Sequence, residues 1–298
     1  MLVKDLGEFK LIERFRKQIK PDSSLIVGSG DDCAVLKFDK KRYQLFTCDL
    51  LVENVDFTLK DDPYLIGRKA IAVSISDIAS SCGLPKHCLI SLGVPKDTQV
   101  NFLDRLFKGM LDICREYKIN IAGGDLSSSS KLVIDVAMLG LVENNRLALR
   151  SMAKPGDYIF VTGEFGGSIL GKHFKFTPRI REARFLSDNF KTHAMIDVSD
   201  GLAQDLGHIL ARSKVGALIY EELIPLSSQA RDLSDALNSG EDFELIFTMP
   251  QSEGKRLLGR RIVNFKLIGE VVDKKYGFKL AYSSGKIKDI KLKGFTHF

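Results

Sequence analysis

The chain has 298 residues, 44% hydrophobic and 28% charged, which is enough apolar material for a large core and two domains rather than one, and argues against long disorder. The formal net charge of +6 is modest, and the lysines are dispersed (37–42, 274–275, 286–293) rather than gathered in a basic stripe with interleaved aromatics, so a nucleic-acid partner is not expected. Five cysteines (Cys33, Cys48, Cys82, Cys88, Cys114) without CxxC spacing argue against a zinc site or disulfide framework and for a reducing, cytoplasmic compartment, and no apolar run approaches the ~20 residues that cross a membrane.

Residues 1–5 become charged at once and carry no signal-peptide core. Phe9, Ile12, Phe15 and Ile19 recur at helical spacing over 7–19. Strand-like runs follow at 24–27, 33–38 and 43–48. Pro63 opens a helix to about Cys82, with Ile71, Ile75 and Ile78 on one stripe and Ala70, Ser74, Asp77 and Ser81 on another. That second stripe is either a polar face in water or a line along which a phosphate or metal can approach. A strand at 88–94 precedes an amphipathic helix over 101–117, with Leu103, Leu106, Phe107, Met110 and Ile113 expected inward. A strand at 119–122 is expected to stop at Gly123-Gly124-Asp125, and another covers 131–142. Composition breaks near 144–154, and Lys154-Pro155-Gly156-Asp157 is a strong turn. Beyond it the pattern predicts a strand at 158–162, helices at 167–174, 180–190 and 202–213, and strands at 194–198, 217–220, 244–249 and 265–272. The residues 286–293 alternate like a solvated strand face. Strands alternating with helices argue for an α/β layer.

Six acidic clusters punctuate this order: Gly30-Asp31-Asp32, Thr47-Cys48-Asp49, Ser76-Asp77, Gly123-Gly124-Asp125, Asp197-Val198-Ser199-Asp200 and Gly240-Glu241-Asp242. Any one of them reads equally well as a helix cap or a turn, because Asp favours both. Six together point to convergence, and converging carboxylates repel unless a cation joins them. Mg²⁺ with oxygen ligands, arriving with substrate phosphates, is the common solution. Gly166-x-x-x-x-Gly171-Lys172 imitates a phosphate loop, but His173 stands where a Ser or Thr would bind Mg²⁺, so Lys172 reads as a surface residue. The five histidines are scattered, and no Ser-His-Asp or Cys-His relay assembles. Catalysis by positioning and electrostatics is therefore expected, with no general base or covalent nucleophile assigned.

As an ordered set, Gly30-Asp31-Asp32-Cys33-Ala34, Thr47-Cys48-Asp49, Lys69 to Asp77, Gly123-Gly124-Asp125, Lys154-Pro155-Gly156-Asp157, Asp197 to Gly201, Ser239 to Leu245 and Gly294 to Phe298 resemble the thiamine-monophosphate kinase family, a branch of the aminoimidazole ribonucleotide synthetase-like superfamily. The resemblance spans nearly the whole chain. It implies a two-domain PurM-like fold, with the N-terminal half (1–146) binding ATP and metal and contributing to a β-barrel at a homodimer interface, and an α/β layered C-terminal half (147–298). It implies ATP-dependent phosphorylation of thiamine monophosphate to thiamine diphosphate with several Mg²⁺ ions. Carried over by position, it makes Asp32, Thr47, Cys48, Asp49, Asp77, Asp125, Asp197 and Asp200 metal ligands. Phe107, Gly123, Gly124, Arg150 and Ser199 fall on ATP, and Asp56, Glu241 and Phe295 on the substrate. Three positions depart from the family pattern: Cys48 replaces a Thr, Asp56 a common His, and Phe107 a Tyr beside the adenine. Alternatives are a relative with another phosphate acceptor, or a non-catalytic nucleotide or thiamine-phosphate binder. The first cysteine, Cys33, lies inside an acidic cluster rather than in an N-terminal reactive position, and the sequence ends in Phe298 rather than a modifiable cysteine, which disfavours the selenophosphate and hydrogenase-maturation branches.

Overall fold

A computed structural model describes residues 2–260 and 264–295, so Thr296, His297 and Phe298 lie outside the described residues. The first half runs α1 (Val3–Leu6), α2 (Glu8–Arg16), β1 (Leu25–Val27), β2 (Ala34–Lys37), β3 (Arg42–Val52), α3 (Pro63–Ser80), β4 (Leu84–Val94), α4 (Val100–Tyr117), β5 (Asn120–Ser128) and β6 (Val133–Glu143). Its strands form one sheet in the order β1-β2-β3-β6-β4-β5, antiparallel except for the β4·β5 pair.

Alternation on β3 sets the two faces of this sheet. Leu45, Thr47 and Leu51 turn inward toward α3, while Phe46, Cys48 and Leu50 point to the open side. The register places Leu89 on that same open side through Ala137 and Cys48. The strand expected to stop at Gly123-Gly124-Asp125 instead continues through it to Ser128, as the sheet's edge. Pairing explains the glycine: a Cβ at Gly124 would lie 1.8 Å from the Ile90 carbonyl oxygen.

Helix α3 begins where Asp62 accepts from the Tyr64 N–H at 2.9 Å and Pro63 occupies the first turn. Of its 18 residues, 13 are buried, because it packs on β3 and β6 on one side and on β8, α5 and α6 of the second half on the other. The small polar stripe is thus not a face in water; its Ala70, Ser74 and Ser81 are fully buried. Against α4 the contact is backbone to backbone. A Cβ at Gly67 would sit 1.9 Å from the Leu106 carbonyl oxygen, and one at Gly109 2.0 Å from that of Tyr64. On α4, Leu106, Met110 and Ile113 face inward as the periodicity predicts, but Phe107 is 41% exposed. The apolar stripe Phe9, Ile12, Phe15 and Ile19 of the N-terminal segment is also exposed, although Phe9 meets the ring of His208 at 5.3 Å.

The second half continues with β7 (Asp157–Thr162), α5 (Lys172–Lys175), α6 (Ile180–Asn189), β8 (Ala194–Asp197), α7 (Leu202–Ser213), β9 (Gly216–Tyr220), α8 (Leu233–Asn238), β10 (Leu245–Pro250), α9 (Gln251–Gly259), β11 (Phe265–Val272), β12 (Phe278–Ala281) and β13 (Ile287–Asp289). The sheet order is β13-β12-β9-β11-β7-β10-β8, antiparallel except for β12·β9. The helix expected over 167–174 is broken: Gly171, at φ +130°, separates a 3₁₀ turn (Ser168–Leu170) from the one-turn α5. Helices α8 and α9 and the strand β12 gave no expectation, being short, and Gly254 and Gly259 dilute the helical pattern of α9. Gly254 is required there, since a Cβ would meet the Tyr158 ring at 2.7 Å.

Candidate active site

Three carboxylates meet where the halves join. Asp32 comes from the loop before β2, Asp77 from α3 and Asp197 from the end of β8, and one oxygen of each lies within 4.8 Å of the other two. Hydroxyls orient them: Thr47 Oγ1 donates to Asp77 Oδ2, and Ser76 Oγ to Asp197 Oδ2 at 2.6 Å. Asp49, neighbour of Thr47 on the inward side of β3, accepts from Ser74 Oγ at 2.6 Å. Among the described residues, Arg150 is the cation that pairs with the cluster; its Nε donates to Asp32 Oδ1 at 2.9 Å and its backbone N–H to both oxygens of Asp31 at 3.2 Å.

One guanidinium does not neutralise so many acids. Burial, then Asp32, pushes Asp197 up to about 8. Burial raises Asp49 to about 6 against the Ser74 hydrogen bond, with Asp135 and Asp32 adding to it. Asp77 is raised by burial and by Asp49, Asp197 and Asp32, and Asp31 to about 6 by burial and Asp32. A group of acids held so close, with carboxylate oxygens converging and hydroxyls beside them, fits a hard divalent cation.

A cavity of about 630 Å³ opens beside this cluster. Asp49, Ser199 and Asp200 line one part of it, and Asp56, Glu241 and Phe295 another. The Phe295 N–H donates to the Asp200 carbonyl at 3.0 Å, which fixes the C-terminal segment over the cavity. Asp56 Oδ2 accepts from the Val52 N–H at 2.7 Å. Beyond Asp200, Asp205 accepts from the Asp200 and Gly201 N–H groups, both at 3.0 Å, and forms a second close group with Asp200 and His208. Asp205 was not singled out from sequence, where it reads as a first-turn helix residue.

The Gly240-Glu241-Asp242 cluster divides its carboxylates between two roles. Asp242 and Glu244 turn down into the second half. Arg179 holds Glu244 through two bonds of 2.6 and 2.7 Å, and Lys172 lies 3.1 Å from Glu244 and 3.7 Å from Asp242. Lys172 is therefore a half-buried ion-pair partner of these acids, with 28% of its side chain still exposed at the surface where the sequence placed it. Glu241 turns up to the cavity, and its backbone is left-handed (φ +55°), between Gly240 (φ +71°) and Phe243 (φ +49°).

The remaining family-derived positions lie elsewhere in the chain. Gly123, Gly124 and Asp125 are on β5, three strand spacings or about 14 Å from β3 across the sheet order β3-β6-β4-β5. Register puts Asp125 on the open side, in one row with Ser91, Asp135 and Leu50. Cys48 points to that side as well, and Phe107 to solvent from α4.

Residues 30–142 match the family model of the AIR synthase related protein N-terminal domain, and residues 157–280 that of its C-terminal domain. The chain is 35% identical to the thiamine-monophosphate kinase of Buchnera aphidicola subsp. Schizaphis graminum, with 99% of both chains covered, and 32% identical to that of Escherichia coli, with 98% of both covered. The solved structure of AaThiL complexed with AMPPCP and TMP superposes with a TM-score of 0.88 at 31% identity, covering 100% of this chain and 99% of that one. Two matched domains and full-length likeness lead to one conclusion: the chain belongs to the thiamine-monophosphate kinase family of the AIR synthase related proteins.

Proposed function

We propose that this protein transfers the γ-phosphoryl group of ATP to thiamine monophosphate, giving ADP and thiamine diphosphate. The relatives named above are thiamine-monophosphate kinases, and the AaThiL structure holds an ATP analogue together with TMP. Within this chain, the observation that carries the reading is the convergence of Asp32, Asp77 and Asp197 beside a cavity large enough for a heteroaromatic acceptor.

Asp32, Thr47, Asp49, Asp77, Asp197 and Asp200 are the residues that would hold Mg²⁺, with Cys48 offering at most its backbone carbonyl. Mg²⁺ held by these residues would supply the positive charge that lets the phosphates of donor and acceptor approach in line. Arg150 keeps Asp32 turned into the cluster, and Ser199 presents its hydroxyl at the nucleotide end. Glu241, Asp56 and Phe295 hold the acceptor, the phenylalanine ring lying against its aromatic part. The acceptor phosphate is already an anionic nucleophile, so no side chain has to remove a proton.

The working unit in this reading is a homodimer. The open side of the first sheet supports it: Phe46, Leu50 and Leu89 are 44%, 56% and 48% exposed on one face, next to the unpaired edge of β5. Closing that face against a second copy gives the barrel that the family resemblance implies. It also gives Gly123, Gly124, Asp125 and Phe107 a role at the ATP site of the neighbouring subunit, where glycine amides can meet phosphate oxygens. In this reading the chain divides into an ATP- and metal-binding half (1–146) and an α/β half (147–298). Free cysteines at all five positions support a cytoplasmic location, and no helix among the described residues is long and apolar enough to cross a membrane.

Incubation with ATP, Mg²⁺ and thiamine monophosphate should yield equimolar ADP and thiamine diphosphate. Tight binding of both substrates without turnover would instead identify a binder, and turnover with another phosphorylated acceptor alone would identify a different branch of the superfamily.

A further inference from the structure

Lys69 is 1% exposed and is the bulkiest of the fully buried side chains. Burying an ammonium is costly unless its donors are matched, and here every partner is part of one arrangement. Lys69 Nζ donates to the Asp56 carbonyl at 2.9 Å and to Glu241 Oε1 at 2.5 Å, and lies 3.1 Å from His173 Nδ1 and 5.5 Å from the Phe174 ring centroid. His173, itself buried, meets the other oxygen, Glu241 Oε2, at 2.9 Å. The three residues come from α3, α5 and the loop before β10, so the group bridges the two halves of the chain.

The arrangement has a direction. Both oxygens of Glu241 are gripped from behind, yet its side chain stays 26% exposed and lines the cavity. Each carboxylate oxygen keeps acceptor capacity beyond the bond it already receives. The backbone contributes as well: Glu241 takes up a left-handed conformation that non-glycine residues seldom adopt, and its N–H is held by the Ser199 carbonyl at 2.7 Å. Burial works against ionisation, but His173 and Lys69 keep Glu241 below the usual carboxylate range.

We propose that Lys69 and His173 are positioning residues that hold the Glu241 carboxylate toward the amino-substituted, cationic heteroaromatic part of the acceptor, and so set acceptor recognition rather than nucleotide binding. This rests on the reading of the cavity as the acceptor site. A thiamine phosphate offers that carboxylate amine N–H donors and a positively charged ring, whereas ATP offers no cation.

The test uses the full chain carrying Lys69→Met, His173→Gln, Glu241→Gln and the Lys69→Met/Glu241→Gln pair, with thiamine monophosphate and ATP varied separately. The acceptor KM should rise about 10- to 100-fold in each single variant, with the ATP KM within about twofold and a smaller change in kcat. The Lys69→Met effect should largely vanish in the Glu241→Gln background, because the two act through one contact. An unchanged acceptor KM, or an equal rise in both KM values, overturns the inference while leaving the kinase reading intact. Wild-type protein that does not phosphorylate thiamine monophosphate overturns both. Should Lys69→Met fail to fold, as judged by circular dichroism, His173→Gln and its pair with Glu241→Gln decide the matter by the same criteria.

Discussion

Replacing Asp77 by Asn separates the electrostatic design of the site from its fold. Oxygens of Asp32, Asp77 and Asp197 lie within 4.8 Å of one another. At that separation and an effective dielectric of about 20, each ionised pair repels by about 3.5 kcal/mol, and partial protonation reduces the net cost to about 1–2 kcal/mol. Asparagine removes two of the three pairs, and Thr47 can still donate to its side-chain oxygen in place of the Asp77 carboxylate. Without divalent metal, the variant should therefore melt about 2 °C or more above wild type. In Mg²⁺ the order should reverse. Wild type gains about 2.7 kcal/mol at a metal concentration 100 times Kd, and a site short of one carboxylate gains much less. Turnover should fall by about 10³-fold or more. Thermal melts in EDTA and in Mg²⁺, beside a coupled ADP assay, read all three effects. Near-normal turnover at saturating Mg²⁺, or a variant less stable than wild type in EDTA, would refute the assignment of Asp77 to a cation site.

Three other perturbations probe the frame around the site. Gly124→Ala places a Cβ 1.8 Å from the Ile90 carbonyl oxygen and should cost about 1–3 kcal/mol and weaken ATP binding, whereas Gly259→Ala, with nothing within 4 Å, should be neutral in the same melts. Glu143 is held at about 2, below its ordinary 4.5, chiefly by hydrogen bonds from Arg184 and against burial, so its contribution is present above about pH 4.5 and is lost as pH falls toward 2. Its side chain is 39% exposed, which limits the effect to about 1 kcal/mol; acid titration of Arg184→Met should show a flatter stability loss over that window than wild type. Sedimentation should give wild type at twice the 33.2 kDa chain mass, with Leu50→Asp shifting it to a single copy; a wild-type monomer at working concentrations would remove the barrel from the model of function.

Much of the first half was legible in sequence because its signals are local. The proline that opens α3, and the strand-like run at 43–48 within β3, are written in neighbouring residues and need no tertiary context. The acidic clusters were legible as a set, since six of them strain any explanation by separate caps. What escaped depended on partners remote in sequence. Lys172 reads as solvated until Asp242 and Glu244 are folded beneath it, and Lys69 looked unremarkable beside Asp77, the carboxylate of its own helix. Asp205 was hidden by its place in an ordinary helix turn. The strand through Gly123-Gly124-Asp125 was cut short because glycines usually end strands; here close approach to Ile90 demands one. The left-handed backbone at Glu241 and Phe243 had no sequence signal, as neither is a residue type that favours it.

Lys69 and Asp77 occupy the same helix, eight residues apart (77 − 69), or about 12 Å along its axis. That helix is enclosed along most of its length by both sheets, so neither stretching nor sliding is open to it. If Lys69 anchors the heteroaromatic end, as proposed, and the acids take the phosphate end, the span between them is a fixed length, a gauge built into the protein. An acceptor analogue whose linker is shortened by two methylenes could satisfy one end or the other, but its phosphate would stop short of the transfer position however tightly it bound.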